Sequence, residues 1–225
     1  MRPLLVLRPE PGAAATLARA VAAGWQAIAA PIFNIVPLPW AAPDPADHDA
    51  LMLTSANAVR QAGDALRLYR HLPVYAVGEA TAVAAIDAGL ADVRTGSGDV
   101  TALIGLMAKD GIARPLHLAG REHRVPADTS VTITRRIAYA ADPVAELPSA
   151  ARAALARDAI ALIHSPRAAA IFAALLSAAG IDSSTIAIAA ISEAAAIGNW
   201  KAVAIAATPD DSALLAAAAR LCEKG

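Results

Sequence analysis

The 225-residue sequence contains little cysteine, few aromatic residues and almost no net charge. Cys222 is the only cysteine, which excludes an internal disulfide and a cysteine-based metal site. Aromatic residues make up 4% and hydrophobic residues 57%, so we expect a core of aliphatic side chains and alanine. The net charge of −1 does not favour a nucleic-acid partner, which would require clustered lysine and arginine.

Several catalytic and targeting motifs are also missing. The five histidines form no metal-binding pair of the His-Glu-x-x-His type. There is no phosphate-binding loop and no Gly-x-Ser-x-Gly elbow, and Gly96-Ser97-Gly98 is only a fragment of a dinucleotide motif. We therefore expect chemistry without a metal, a nucleotide cofactor or a covalent nucleophile. The opening apolar run is too short for a signal peptide and no stretch suits a bilayer, so we expect a cytoplasmic protein that binds no membrane.

The most informative feature that is present is an internal repeat. Four segments recur in the same order, and their matched positions lie 110 to 114 residues apart. The matched pairs are Arg8 with Arg121, Ser55 with Ser165, Glu79 with Glu193, and Asp99 with Asp211. A two-copy repeat of this length predicts two similar lobes with a cleft between them, and such clefts are favoured ligand sites.

Short apolar runs alternate with longer segments of helical period. The runs are continuous, which is typical of parallel strands covered on both faces, so an α/β fold with mainly parallel sheets is predicted. Predicted strands cover 4–7, 51–54, 74–77, 116–119, 160–163, 186–191 and 203–206. Predicted helices lie near 13–23, 56–67, 80–88, 101–107, 166–178, 193–198 and 212–221. Proline-rich segments at 37–49 and 142–149 indicate crossings between lobes, and 31–37 and 132–140 could be two linking strands.

Small and polar residues follow the predicted strands, where open α/β sheets bind ligands. Thr54-Ser55 and His164-Ser165-Pro166 each stand between a strand and a helix. Their hydroxyls could cap the helix, and the free amides beside them could bind an anion. Both interpretations can hold together.

The following strand ends repeat this pattern. Gly78-Glu79 matches Ser192-Glu193, and the loop with Ser97 matches Thr208-Pro209. Small residues at such turns allow the backbone to approach either a ligand or a helix closely.

Paired arginines suggest an anionic ligand. Arg8 and Arg121 occupy equivalent strand ends, and Arg167 opens a helix beside Ser165. Arginine presents a planar fork of donors that suits carboxylates. Further arginines could form a positive rim or simply be solvated, namely Arg60, Arg124, Arg135 and Arg136.

Five segments resemble uroporphyrinogen-III synthase, and together they span nearly the whole chain. They are Leu7-Arg8-Pro9, Leu53-Thr54-Ser55-Ala56-Asn57-Ala58-Val59, Pro73-Val74-Tyr75-Ala76-Val77-Gly78-Glu79-Ala80-Thr81-Ala82, Leu116-His117-Leu118-Ala119-Gly120-Arg121 and Ser165-Pro166-Arg167-Ala168-Ala169. The resemblance implies two flavodoxin-like lobes joined by a two-stranded linker. One lobe would comprise 1–36 with 140–225, and the other 37–139.

The resemblance also implies an activity. The family closes linear hydroxymethylbilane, which carries eight carboxylates, into uroporphyrinogen III of haem biosynthesis. Water is lost, ring D is inverted through a spiro intermediate, and no cofactor is needed. We expect a monomer.

The general acid suspected in the family is a tyrosine on the return linker, which matches Tyr139 here. Its alternative role is a linker aromatic packed between the lobes. One position departs from the family pattern, because Ala195 stands where a threonine is common. Thr81 keeps the hydroxyl in the other half, and Ser192 could compensate.

Two other classes of protein share some of these features. A two-lobed binding protein without catalysis would have the same repeat and cleft, but secreted forms need a signal peptide and regulators need a DNA-binding segment. A nucleotide-dependent enzyme is disfavoured by the absent phosphate loops.

Overall fold

The computed structural model describes residues 2–123 and 131–223. Within them lie eleven β-strands and seven α-helices. The strands are β1 (Leu4–Val6), β2 (Ala27–Ala29), β3 (Phe33–Pro37), β4 (Ala50–Leu53), β5 (Val74–Ala76), β6 (Val93–Thr95), β7 (Pro115–Gly120), β8 (Thr134–Pro143), β9 (Ile160–Ile163), β10 (Ala187–Ala190) and β11 (Ala202–Ile205). The helices are α1 (Gly12–Ala22), α2 (Ala56–Gln61), α3 (Glu79–Asp87), α4 (Val100–Lys109), α5 (Ser149–Leu155), α6 (Pro166–Ala178) and α7 (Asp211–Glu223).

The chain divides into two compact units. Unit 1 comprises Met1–Asn34 with Pro143–Gly225, and unit 2 comprises Ile35–Asp142. The chain leaves unit 1 within β3 and returns to it within β8. The bounds expected from the sequence, 1–36 with 140–225 and 37–139, lie within a few residues of this division. The assignment of these two ranges as separate domains stays a prediction.

Unit 1 is built on a five-stranded sheet in the order β11-β10-β9-β1-β2. All of its pairings are parallel. Its central strands are apolar throughout and fully buried, because helices cover both faces. Side chains of β1, β9 and β10 pack with those of α1 and α7, including Leu4, Leu162 and Leu214. The strand order is that of a flavodoxin-like sheet.

Unit 2 contains a six-stranded sheet in the order β3-β8-β7-β4-β5-β6. The five strands from β8 to β6 are parallel. The amide of Leu38 donates to the carbonyl of Ala138 beside β3 at the sheet edge. Apolar clusters cover both faces, one under α2 and α3 and the other under α4. The predicted α/β fold with mainly parallel sheets is confirmed.

Some local predictions differ from the structure. The helix predicted at 193–198 is wrong, because only Glu193–Ala195 forms a single 3-10 turn. Trp200 stacks on the buried Phe172 ring at 6.0 Å between centroids, and Gly198 has a φ of +145°. The chain therefore turns back before a helix can extend. Strands β2 and β6 were not predicted; both are edge strands whose residues are half-buried or exposed, unlike the fully buried central strands. Among the described residues, no helix is both long and apolar enough to cross a membrane.

The two units differ in how they cap their last helix. In unit 2 the carboxylate of Asp99 accepts a hydrogen bond from the Ala102 amide at 3.0 Å and so caps α4. The sequence repeat pairs Asp99 with Asp211, but in unit 1 the capping bond goes to Asp210, which accepts from the Ala213 amide at 2.9 Å. The cap has moved by one residue, which leaves the Asp211 carboxylate available for other contacts.

This displacement predicts which aspartate stabilises α7 as a cap. We expect Asp210→Ala to lower the free energy of unfolding by about 1 kcal/mol, the usual value of an N-cap, as Asp99→Ala should for α4. Urea denaturation followed by circular dichroism measures both losses. Ser212→Ala serves as the control and should have little effect. If Asp210→Ala had no effect, Asp210 would not be the cap.

Candidate active site

In each sheet, the chain continues from one pair of neighbouring strands towards opposite edges of the sheet. We call the carboxyl ends of this pair the reversal point. In unit 2 the two strands are β4 and β7, and in unit 1 they are β1 and β9. Ligands of open α/β sheets bind outside the carboxyl ends of such strands. Thr54 and Ser55 follow β4, Arg121 follows β7, Arg8 lies just beyond β1, and Ser165 lies just beyond β9. Five of the predicted substrate contacts thus stand at the two reversal points.

A hydrogen bond joins Ser55 to Tyr139 in unit 2. The Tyr139 hydroxyl donates to Ser55 Oγ at 3.0 Å, and the Asn57 amide donates to the same oxygen at 3.1 Å. The second bond caps α2. Ser55 Oγ therefore accepts two hydrogen bonds, and no acceptor in the described part of the chain takes its own proton. The capping predicted for Ser55 is confirmed.

A shift in the register of β8 against β7 places Tyr139 beside Ser55. Ala119 pairs with Ile137 but Gly120 pairs with Tyr139, so Ala138 is an extra residue. An extra residue changes the face to which the following side chains point. Tyr139 accordingly packs with the cluster under α2 and α3.

Gly120 provides the space for the Tyr139 ring. A Cβ on Gly120 would lie 2.6 Å from Cζ and 2.8 Å from the hydroxyl oxygen of Tyr139. Such distances are shorter than real side chains allow, so only glycine fits beneath the phenol.

A second set of hydrogen bonds links Thr54, His117 and Arg135. Arg135 Nε donates to His117 Nδ1 at 3.1 Å, and His117 Nε2 lies 2.9 Å from Thr54 Oγ1. Burial, together with the nearby Arg135 and His123, lowers the pKa of His117 from its ordinary 6.5 to about 3. The ring is therefore neutral at ordinary pH.

Arg121 is engaged by carboxylates of its own unit. Its guanidinium forms ion pairs with Asp142 and with Glu122, the latter at 3.2 Å. Its backbone amide donates to the Tyr139 carbonyl at 2.8 Å, which helps to hold the end of β8. The side chain is half exposed, so water and ligands still reach it.

In unit 1, Ser165 and Pro166 begin α6. Ser165 Oγ accepts a hydrogen bond from the Ala168 amide at 3.1 Å, as its predicted capping role requires. Pro166 occupies the first turn, where a missing amide proton costs nothing. The Arg167 guanidinium lies over the Phe33 ring at 4.8 Å from its centroid.

At the reversal point of unit 1, several polar side chains contact the carboxylate of Asp211. Its carboxylate accepts hydrogen bonds from Thr16 at 2.8 Å and Arg19 at 2.8 Å, and His164 Nε2 and Arg8 approach it at 3.1 Å and 3.4 Å. Burial alone would raise the pKa of Asp211, but the hydrogen bonds of His164 and Thr16 and the charge of Arg8 hold it well below its usual range. Part of the predicted donor capacity of Arg8 is thus used within its own unit.

The remaining predicted contacts stand at the outer strand ends. Gly78 precedes α3, and the Gly98 amide donates to the Val77 carbonyl at 2.7 Å, so the loop with Ser97 lies beside this turn. Glu79 and Ser97 are exposed. In unit 1, Ser192 precedes the 3-10 turn without a side-chain capping bond. Thr208 donates to Asp210 Oδ2 at 2.6 Å.

Sequence reasoning missed several residues of these sites. His117 was included in an apolar strand, although a single polar residue inside such a run can itself indicate a functional side chain. Gly120 and the interaction of His164 with Asp211 were also missed, since they depend on long-range packing. Arg124, considered for the positive rim, lies outside the described residues. Within 2–123 and 131–223, no cluster of three or more histidine, cysteine or acidic side chains could hold a metal.

Comparison with known proteins decides the family. The family model described as uroporphyrinogen-III synthase HemD matches residues 14–216. The chain belongs to the uroporphyrinogen-III synthase family. Its function is accordingly that of a cyclising lyase in tetrapyrrole biosynthesis. A search of curated proteins finds no match.

A solved structure of uroporphyrinogen III synthase resembles the chain in fold. A crystal structure of a mutant uroporphyrinogen III synthase from Thermus thermophilus is 17% identical, with a TM-score of 0.51 over 99% of this chain and 100% of that one. The wild-type enzyme of that bacterium, in another crystal form, is 18% identical with a TM-score of 0.43 over 99% and 98% of the two chains. At 17% identity the first of these likenesses concerns the fold alone.

The buried neutral His117 predicts a stability that falls with acid. The unfolded chain binds a proton near the ordinary pKa of 6.5 that the folded chain does not take up until about 3, so stability decreases as pH falls through this window. Between about pH 6.5 and about pH 5, we expect this effect of His117 to lower the free energy of unfolding by on the order of 2 kcal/mol.

Urea denaturation at several pH values tests this dependence. His117→Gln cannot titrate there, so its free energy of unfolding should fall less steeply with acid than that of the unchanged protein. The exposed His71→Gln is the control and should keep the original slope. Identical slopes for all three proteins would contradict the assignment of the acid sensitivity to His117.

Proposed function

We propose that the chain converts hydroxymethylbilane to uroporphyrinogen III as a cytoplasmic monomer, with inversion of ring D. The bond between the hydroxymethyl carbon and its oxygen breaks, and the pyrrole nitrogen supplies the electron pair that forms an azafulvene. The substituted carbon of ring D attacks this azafulvene to give the spiro intermediate, which fragments and recloses. The pyrroles provide all the electrons, so the proposed reaction calls for no cofactor.

The hydrogen bond between Tyr139 and Ser55 is the observation that carries this proposal. The departing oxygen must take up a proton to leave as water, and a phenol at a ligand-binding strand end is a suitable general acid. Tyr139 would supply this proton, either directly or through the Ser55 hydroxyl that it already touches at 3.0 Å. Positioning is the larger task, since the unassisted bilane closes without inversion.

The substrate carboxylates would be bound by backbone amides, hydroxyls and arginines. Ser165 and Pro166 begin a long helix, whose free amides and positive dipole end favour an anion. Other proposed contacts stand at the remaining strand ends, namely Arg8, Thr54, Ser55, Gly78, Glu79, Ser97, Arg121, Arg167, Ser192 and Thr208. Glu79 would contribute through its amide, because its carboxylate would repel the substrate.

Removal of the Tyr139 hydroxyl tests the proposed acid. We expect Tyr139→Phe to lower turnover by about tenfold to a thousandfold, the scale of one general acid. The assay supplies freshly made hydroxymethylbilane and separates the oxidised products by isomer. Tyr69→Phe is the matched control, because its hydroxyl donates to the Pro43 carbonyl, away from the strand ends. Unchanged turnover of a folded Tyr139→Phe would remove Tyr139 from the mechanism, and isomer I alone from the unchanged protein would refute the function.

Gly120→Ala provides a second test that leaves the hydroxyl in place. The new Cβ would displace the Tyr139 ring, so we expect a loss of turnover similar to that of Tyr139→Phe. The double variant should be no worse than either single one, because both act on the same group. Gly105→Ala in α4 is the control, since its Cβ would meet nothing within 4 Å. Full activity of Gly120→Ala would show that the position of the phenol is unimportant.

A further inference from the structure

We propose that His117 is a positioning residue that fixes the Thr54 hydroxyl as a hydrogen-bond donor to a carboxylate of the substrate. The inference rests on the proposed function and assigns a role to two residues that no catalytic step above uses. It follows from the direction of two successive hydrogen bonds across the sheet of unit 2.

The first bond determines which nitrogen of His117 carries the proton. Arginine has only donors and remains charged in proteins, so Arg135 Nε must donate to His117 Nδ1 across the 3.1 Å between them. Nδ1 therefore holds no proton. A neutral imidazole then carries its single proton on Nε2.

The second bond determines the orientation of Thr54. His117 Nε2 is the donor and Thr54 Oγ1, at 2.9 Å, is the acceptor. The hydroxyl proton of Thr54 must therefore point elsewhere. No hydrogen bond within the described part of the chain accepts it, although Thr54 is half buried. A hydroxyl held in this way is a preset donor at the carboxyl end of β4.

The fold keeps these three residues in line. His117 pairs with Met52 on one side and with Arg135 on the other, and Thr54 lies two residues beyond Met52 on the same face. His117 is 2% exposed, so water cannot readily replace either of its bonds. The arrangement depends on paired parallel strands rather than on a flexible loop.

The neighbouring Ser55 strengthens the case for an anionic acceptor. Ser55 Oγ already accepts bonds from Tyr139 and from the Asn57 amide, so it too is left to donate. Two adjacent hydroxyls thus act as donors at one strand end. Ionised carboxylates only accept hydrogen bonds, whereas ammonium groups only donate them. The pair therefore favours a carboxylate and disfavours an amine.

A double-mutant cycle tests whether His117 acts through Thr54. We expect Thr54→Val to raise KM for hydroxymethylbilane about tenfold with little change in kcat, as the loss of one hydrogen bond to a charged group does. His117→Leu should raise KM about fivefold, and the double variant should lie within about twofold of Thr54→Val. His117→Gln keeps an amide donor towards Thr54 and should recover most of the loss. His71→Gln is the surface control.

Three results of this cycle would overturn the inference. If the increases in KM of the two single variants multiplied in the double variant, His117 would act independently of Thr54. A His117→Gln variant as impaired as His117→Leu, with the same melting temperature, would also contradict it, as would a loss confined to kcat. An unchanged protein that makes no isomer III would instead refute the proposed function, and the inference with it.

The tautomer can be measured without any substrate. Nitrogen-15 chemical shifts of the His117 ring at neutral pH should show a proton on Nε2 and none on Nδ1. Arg135→Leu removes the donor to Nδ1 and should allow a mixture of tautomers. A proton on Nδ1 in the unchanged protein would overturn the inference whatever the activity.

Discussion

The parallel pairing of β4 with β7 is the contact on which the candidate active site of unit 2 depends. Its register places Met52 beside His117, so that Thr54, two residues further, reaches the imidazole. The opposite edge of β7 pairs with β8, which supplies Arg135 and Tyr139. A slip of one residue would turn each side chain to the other face of the sheet. Both sets of hydrogen bonds would then be lost together.

The two units have similar sheets of parallel strands, but the polar groups at their reversal points have different partners. In unit 2, two hydroxyl protons at the reversal point have no acceptor among the described residues. In unit 1 the equivalent place is filled by Asp211, and a carboxylate so buried needs the partners that Arg8, Arg19 and His164 provide. The one-residue shift of the cap to Asp210 made this carboxylate available. A twofold repeat has thus become an asymmetric protein.

Predictions from the sequence succeeded where the physical cause is local. Serine before an alanine-rich helical segment is a strong capping signal, and both Ser55 and Ser165 cap their helices. Continuous apolar runs correctly indicated parallel strands. The helix expected at 193–198 failed because periodicity ignores the stacking of Trp200 on Phe172, which belongs to distant packing. Tyr139 was found only through family resemblance, since an isolated tyrosine in a β-branched segment has no chemical signature.

The sequence by itself determined the α/β class, the strand ends that carry hydroxyls and the helices that begin there, because these depend on side-chain period and on capping within a few residues. Tertiary structure alone decided the face on which Tyr139 lies, through the extra residue Ala138 and the space above Gly120. It also decided the protonation of His117. That proton follows from an arginine on a neighbouring strand, and strand register over such distances is set by the packing of the whole sheet.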